Sequence, residues 1–301
     1  MSHLLIICGA TAVGKTTLSL QLAKHFNTEI ISADSRQLYT EMNIGTAKPT
    51  QEEMQGIPHH FVGNISIHQN YTAGDYERDV INKLDELFTQ HNLVIMCGGT
   101  GLYIDAVCKG FDAGLQSNEA IKKEITESYK QKGLTWLQNE VKKLDMVFYH
   151  QADINNPQRL MRALEVCLAT GKPFSSFRKS VAVKRNFNVI KIFLNQERES
   201  LYTKINQRVD EMMTKGFLKE AGSLYPHKQV NALNTLGYKE LFDFIENKTS
   251  LEKATELIKQ HTRNYAKRQI TWFKHDDDCT TFHPNEIEKI KAFVEVIRQH
   301  S

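Results

Sequence analysis

Along the N-terminal third of the chain, unbroken apolar runs alternate with stretches of helical spacing. Leu4, Leu5, Ile6, Ile7 and Cys8 form a continuous apolar run that ends in glycine, the pattern of a strand buried on both faces. Leu18, Leu22 and Phe26 then recur four apart and predict a helix over 17–26. A second short strand is predicted over 29–33, ending at Asp34, and a third over 93–97, running into Gly98, Gly99, Thr100 and Gly101. Between them, Thr72 and Asp75 have capping-box spacing ahead of a helix striped by Val80, Leu84, Leu87 and Phe88. Strands alternating with helices predict a parallel sheet with right-handed crossovers.

Beyond about residue 112 the texture changes. Residues 118–147 read as charged amphipathic helix, and Pro157 opens another helix carrying Leu160, Leu164 and Leu168, which Gly171 ends. A strand over 189–194 returns the chain to the sheet, and helices fill most of the remainder. A chain of 301 residues suits one large domain with an insertion, or two domains. The expected organisation is an α/β core with a helical C-terminal body, formed by 1–112 and 153–301. A small all-helical insertion at 113–152 interrupts it.

The turn after the first strand reads Gly9, Ala10, Thr11, Ala12, Val13, Gly14, Lys15, Thr16. This is the GxxxxGK[ST] pattern, with a buried strand before it and a helix after it. Glycines let backbone N–H groups point inward as an anion nest, and the helix terminus adds positive dipole charge. Lys15 then reaches phosphate oxygens, and the Thr16 hydroxyl can ligand Mg²⁺. The fold class is therefore a P-loop NTPase-like parallel sheet flanked by helices. A chance lysine in an ordinary strand-to-helix turn is the competing reading.

Taken alone, the loop points to ATP. A hydrolytic ATPase, however, usually carries an acidic metal ligand at the end of a neighbouring buried strand. Here the strand at 93–97 ends in Gly98-Gly99-Thr100, without a carboxylate. That favours chemistry in which phosphate is a substrate or a leaving group. Asp34, at the end of the second strand, is the nearest acid, placed where open α/β sheets put functional residues. Two readings stand side by side: a base accepting a proton from an incoming nucleophile, or an N-cap completed by Gln37 three residues on.

Composition narrows the setting. The cysteines number five, with no CxxC pair, which fits reduced thiols in a cytoplasmic protein. No His or Cys pairs stand at zinc-ligand spacing. The run at 4–8 is too short for a signal peptide or a membrane span, so no membrane partner is expected. A net charge of +3 does not decide nucleic-acid binding, but its distribution bears on it. Lys172, Arg178, Lys179, Lys184, Arg185 and Lys191 cluster with no acid among them. Arg263 to Lys274 interleaves Lys267 and Arg268 with Tyr265, Trp272 and Phe273, aromatics equally suited to a core. Arg159 and Arg162 share a helix face. Three such clusters favour a polyanionic partner whose binding weakens with salt.

Nine blocks, in order, carry a resemblance: GATAVGKT, ISADSRQLY, MNIGTAKPT, GIPHHF, YTAGDYERD, GGTGLYI, NPQRLMRALEV, LGYKEL and RNYAKRQITWFK. Together they span nearly the whole chain, which resembles the tRNA dimethylallyltransferases (tRNA isopentenyltransferases). The family's C-terminal zinc finger of eukaryotic members is absent, which points to the bacterial type. The usual proline of the loop is Ala10 here.

The resemblance implies that N6 of an adenosine beside the tRNA anticodon attacks C1 of dimethylallyl diphosphate and pyrophosphate leaves. ATP would not be consumed. It further implies Asp34 as general base, with Lys15 and Thr16 on the pyrophosphate and its Mg²⁺. Arg208 would stabilise the leaving group, although spacing alone also fits a surface helix arginine. Thr100 would lie near a flipped adenosine, a base taken out of its stack. Asp34, Ser35, Arg36 and Gln37, with Gln158, Arg159, Leu160, Met161 and Arg162, would contact the anticodon stem-loop. Lys122 and Lys123 are placed against the stem on position and charge alone, and a monomer is expected. The alternatives are a P-loop kinase of a nucleotide or small metabolite, a non-catalytic RNA-binding module, and an adenylate isopentenyltransferase.

Overall fold

The computed structural model describes residues 1–110, 118–177 and 183–300. Among them, six strands form one sheet: β1 (His3–Gly9), β2 (Ile30–Ala33), β3 (His59–His60), β4 (Leu93–Gly98), β5 (Asn188–Leu194) and β6 (Cys279–Phe282). Every pairing is parallel, and the order across the sheet is β3-β2-β4-β1-β5-β6. The parallel sheet is as expected, and the predicted strands agree with it to within a residue at each end. The two outer strands, β3 and β6, have no counterpart among the predicted elements. Each is short and lies at an edge, where an apolar run is not required.

β1 is flanked by β4 and β5, so successive side chains face opposite covered surfaces. Leu4, Leu5, Ile6 and Ile7 are accordingly all fully buried. Leu18 and Leu22 of α1 (Lys15–Phe26) join Leu5, Ile7, Ile95 and Ile192 in one apolar cluster. After α2 (Gln51–Met54), α3 (Ala73–Leu87) starts at Thr72, where both bonds of the capping box with Asp75 are made. The Tyr76 hydroxyl of α3 donates to the Ser32 carbonyl at 2.8 Å, which holds the helix over β2. α4 (Gly101–Lys109) follows β4 directly.

The chain divides into two compact units, Lys109–Val183 and the remainder. The first is all-helical among its described residues: α5 (Glu119–Leu144), α6 (Met146–Gln151), α7 (Pro157–Thr170) and α8 (Phe174–Phe177). α5 is broken at Gly133, whose φ of +75° a helix does not allow. The unit thus runs past the expected end at residue 152. The reason lies in α7: Leu160 and Leu164 pack with Ile125, Leu137, Val141 and Phe148 of α5 and α6. Without α7, those helices would have no common core. Asp145 ties the ends together, capping α6 through Phe148 N (2.9 Å) and accepting from the Ser175 hydroxyl (2.8 Å).

The second unit adds α9 (Arg198–Thr214), α10 (Phe217–Leu224), α11 (Tyr238–Ile245), α12 (Leu251–Lys274) and α13 (Ile287–Gln299) to the sheet. No helix among the described residues is long and apolar enough to cross a membrane.

At the end of β4 the sheet leaves no room for a side chain, since a Cβ on Gly98 would lie 2.2 Å from the Ala33 carbonyl oxygen of β2. Gly98→Ala must part these strands, and overpacking of this kind costs about 1–3 kcal/mol. Urea unfolding should show a lowered midpoint, and an unchanged midpoint would mean that the strands separate without loss.

Candidate active site

β1, β2 and β4 all end on the same side of the sheet, and each delivers part of the site. After β1 the chain turns at Gly9, whose φ is +151° and whose Cβ would meet the Leu194 carbonyl at 2.7 Å, so only glycine fits. Ala12 (φ +63°) and Gly14 (φ +105°) are both left-handed. Such turns direct successive N–H groups to one side and form a nest for an anion. α1 then begins with no side-chain cap and no acidic residue in its first turn. Its first N–H groups, which have no partner within the helix, are left to whatever binds there. The Lys15 ammonium donates to the carbonyls of Gly9 (3.0 Å) and Ala10 (2.7 Å). Desolvation lowers its pKa, and Thr16 is exposed at the helix start.

Asp34 follows β2. Its Oδ1 accepts from the N–H groups of Arg36 (2.9 Å) and Gln37 (3.3 Å). Those bonds close a turn and start no helix, since 35–38 is not helical. Among the described residues, Oδ2 takes no hydrogen bond. Thr100, at the end of β4, accepts from Ser35 N at 3.0 Å through its hydroxyl oxygen, stitching the two strand ends together. Arg208 projects from α9 and donates to the Thr11 hydroxyl at 3.2 Å. Burial lowers its pKa against the opposing pull of Asp34, and an arginine remains charged nonetheless. Tyr265 of α12 is held neutral, its pKa raised to about 12 by burial and by the Asp34 charge.

A cleft of about 970 Å³ is lined by Thr11, Gly14, Lys15, Thr16, Asp34 and Arg208, among others. A second cavity of about 380 Å³ is lined by Ser35, Arg36, Lys239 and Arg268. Thr11, Ala12, Asp34, Arg208 and Tyr265 line both. The two spaces therefore meet at a carboxylate and a guanidinium.

Thr11, Ala12, Gly14, Lys15, Thr16, Asp34 and Arg208 are thus gathered on one cleft, whereas Ala10 and Val13 are buried in the apolar core. The Gln37 amide is committed to the carbonyls of Thr46 (3.2 Å) and Ala47 (3.1 Å), so it shapes a loop. On the helical unit, Gln158, Arg159 and Lys122 are exposed. Leu160 is fully buried in that unit's core and has no surface to offer a partner. Met161 packs against the same core, and Arg162 pairs with Glu165 at 3.1 Å.

The basic stretch is also corrected in part. Arg185 donates to the carbonyls of Val107 (2.8 Å) and Ala106 (3.0 Å) at the end of α4 and pairs with Glu77. Lys191 is buried against Asp276 at 2.7 Å. Both are fold residues, while Lys172 and Lys184 are exposed. Arg178 and Lys179 lie outside the described residues. In the C-terminal cluster, Phe273 is core, Tyr265 faces the cleft and Trp272 is half exposed.

Two residues escaped the sequence reading because their partners are distant in the chain. Glu220 accepts from the N–H groups of Asn43 (3.0 Å), Ile44 (2.8 Å) and Gly45 (2.9 Å) and from the Tyr238 hydroxyl (2.7 Å), which docks the 43–47 loop on α10 and α11. Gln269 joins the nest to the turn after β4. Gln269 lies in the family-like block RNYAKRQITWFK, which does not show a bonding partner, and Glu220 lies outside all nine blocks.

A family model described as IPP transferase matches residues 37–276. The chain belongs to the IPP transferase family. A tRNA dimethylallyltransferase of Christiangramia forsetii is 49% identical over 288 residues, covering 96% of this chain and 95% of the relative. A tRNA dimethylallyltransferase 1 of Bacteroides fragilis is 44% identical over 292 residues, with 97% of each chain covered. Among solved structures, the tRNA isopentenylpyrophosphate transferase of Bacillus halodurans superposes with a TM-score of 0.73 at 34% identity, covering 98% of this chain and 96% of that one. A eukaryotic dimethylallyltransferase solved acting on tRNA gives a TM-score of 0.81 at 26% identity, covering 96% of this chain and 75% of that one. The relatives confirm the family and its bacterial type. They also agree with the P-loop α/β fold. The family match starts after Asp34 and takes in Thr100, Arg208, Glu220 and Gln269.

Glu220→Ala strands three loop N–H groups at once, and hydrogen bonds to a charged group contribute about 1.5–3 kcal/mol each. Hydrogen exchange in 43–47 should accelerate well beyond that in β1. Equal exchange in the variant and the parent would mean that the loop holds its shape by other contacts.

Proposed function

We propose that this chain transfers a dimethylallyl group from dimethylallyl diphosphate to N6 of an adenosine adjacent to the anticodon of tRNA, releasing pyrophosphate. Membership of the IPP transferase family supports the prenyl donor and the tRNA acceptor. The observation that carries the chemistry is the wall shared by the two cavities, with Asp34 and Arg208 exposed to both. Diphosphate would lie in the larger cleft, on the nest and the terminus of α1. The base would enter from the smaller cavity, among Arg36, Lys239 and Arg268.

In the displacement, the N6 lone pair forms a bond to C1 as the C1–O bond breaks, and the electron pair leaves on pyrophosphate. The amine proton passes to a carboxylate, and Asp34 Oδ2 is the oxygen available. Charge grows on the diphosphate as it departs, beside Lys15 and Arg208, which are already desolvated. Oriented cations in a dry site stabilise such charge far more than water does. Thr100, anchored to Ser35 next in the chain to Asp34, would orient the base.

Among the described residues, no cluster of three His, Cys, Asp or Glu could cage a metal ion. The exposed Thr16 hydroxyl does suit Mg²⁺ arriving with its diphosphate, the usual mode for this ion. Bound there, Mg²⁺ would offset diphosphate charge. Exposed Gln158 and Arg159, and Lys122, remain the proposed contacts of the helical unit with tRNA.

Incubated with labelled dimethylallyl diphosphate, Mg²⁺ and undermodified tRNA, the protein should place label in the tRNA. Label in AMP instead, or phosphate transferred from ATP, would replace this reading with one of its rivals. Asp34→Asn should slow turnover by about 10²–10⁴-fold, the usual contribution of a general base, while tRNA affinity stays close to that of the parent. Turnover near the parent rate would remove Asp34 as the base.

Arg185→Gln should lower thermal stability and leave the salt dependence of tRNA binding unchanged. A phosphate contact would instead flatten the log–log slope by about 0.7–0.9, and such a change would return Arg185 to the RNA interface.

A further inference from the structure

Gln269 is buried on α12 at a point where two parts of the site nearly touch. Its Oε1 accepts from Thr11 N at 2.9 Å, and its Nε2 donates to the Gly99 carbonyl at 2.8 Å. One partner is a donor and the other an acceptor, so the orientation of the amide is fixed by them. The fit is close on the far side too. A Cβ on Gly99 would lie 2.1 Å from Nε2 and 3.4 Å from the Gly9 carbonyl. A side chain at position 99 would therefore have to displace this amide.

Each partner leads directly to a residue of the site. Thr11 opens the nest and receives the Arg208 guanidinium on its hydroxyl. Gly99 precedes Thr100, which is joined to Ser35 beside Asp34. Position 11 carries the leaving-group side, and position 99 the nucleophile side. No bond between Thr11 and the 99–100 backbone is made directly. The carboxamide of Gln269 spans the gap in one rigid planar group.

We infer that Gln269 is a positioning residue that sets the distance and angle between the diphosphate nest and the Asp34–Thr100 pair, and so governs in-line alignment of the base with C1. This rests on the transferase reading above. Lys15 is held by the Gly9 and Ala10 carbonyls, and Asp34 by the N–H groups of Arg36 and Gln37, so each half keeps bonds of its own without the bridge. Their mutual alignment depends on it, and a displacement of about 1 Å in a reacting pair can cost a hundredfold in rate. The effect should therefore appear in kcat and largely spare both KM values.

The test uses the full chain in steady-state prenyl transfer with tRNA. Gln269→Met keeps length and volume and removes both hydrogen bonds. Gln269→Asn keeps the amide one methylene shorter and serves if the first variant folds poorly. We expect kcat per folded molecule to fall about ten- to a hundredfold, with KM for dimethylallyl diphosphate and for tRNA each within about threefold. Gly99→Ala, which displaces the amide from the other side, should give a similar loss. The double variant should then be no slower than the worse single one, as expected for residues acting as a unit.

An unchanged kcat with a lowered melting temperature would make Gln269 structural only and overturn the inference. A rise confined to the KM of the diphosphate would also overturn it, by making Gln269 a ligand contact. If the parent chain itself moved no prenyl group, the functional reading would fall and take the inference with it. An active parent with unaltered variants removes the inference alone.

Discussion

Where β2 and β4 end side by side, position 98 has no room for a side chain. The Ala33 carbonyl passes so close that any Cβ on Gly98 would overlap it. This approach lets Ser35, the residue after Asp34, donate its N–H to the Thr100 hydroxyl at 3.0 Å. The same crowding recurs on the other side of the centre, where Gly9 admits the Leu194 carbonyl of β5. The parallel pairing places all these ends on one side, which is where open α/β sheets bind ligands. The glycines let the chain approach closely there, at Ala33 beside Gly98 and at Leu194 beside Gly9.

Electrostatics follow from this geometry. Lys15 and Arg208 lose hydration in the cleft, which by itself disfavours their charge. Asp34 supplies an opposing field to both, and the nest adds partial positive charge without a side chain. An anion bound there would complete the balance. The site is thus arranged to gain from negative charge at the nest, while Asp34 Oδ2 takes no hydrogen bond among the described residues. A transfer reaction with an anionic leaving group uses both properties together.

Much of this was legible in the sequence, for reasons that can be stated residue by residue. The run from Leu4 to Cys8 could be read because a central strand must be apolar on both faces. The turn from Gly9 to Thr16 could be read because nest geometry constrains residue type at fixed spacing. Thr72 with Asp75, and Pro157 with Gly171, are local signals that the backbone obeyed. Edge strands gave no such signal, since β3 is only His59 and His60. The end of the helical unit was misplaced because Leu160 and Leu164 fit any amphipathic helix. Only packing shows that their partners are on α5 and α6. Arg185 looked like a cation for RNA until its bonds to α4 and Glu77 were seen. Gln269 and Glu220 act across separations that no local pattern reports.

The absence of an acid after β4 now has a physical reason as well as a functional one. A hydrolytic P-loop enzyme places a carboxylate at such a strand end to hold its metal ion and organise water. Here position 98 is closed by the Ala33 carbonyl and position 99 by the amide of Gln269. An aspartate at 98 would collide with the Ala33 carbonyl, and one at 99 would have to displace the Gln269 amide. Thr100 is the first residue after β4 that carries a side chain, and its hydroxyl is turned to Ser35. The packing that draws Asp34 and Thr100 together therefore removes the place where the hydrolytic acid would stand. Under the proposed function, the nest would hold the leaving group, and the carboxylate beside it would serve the nucleophile.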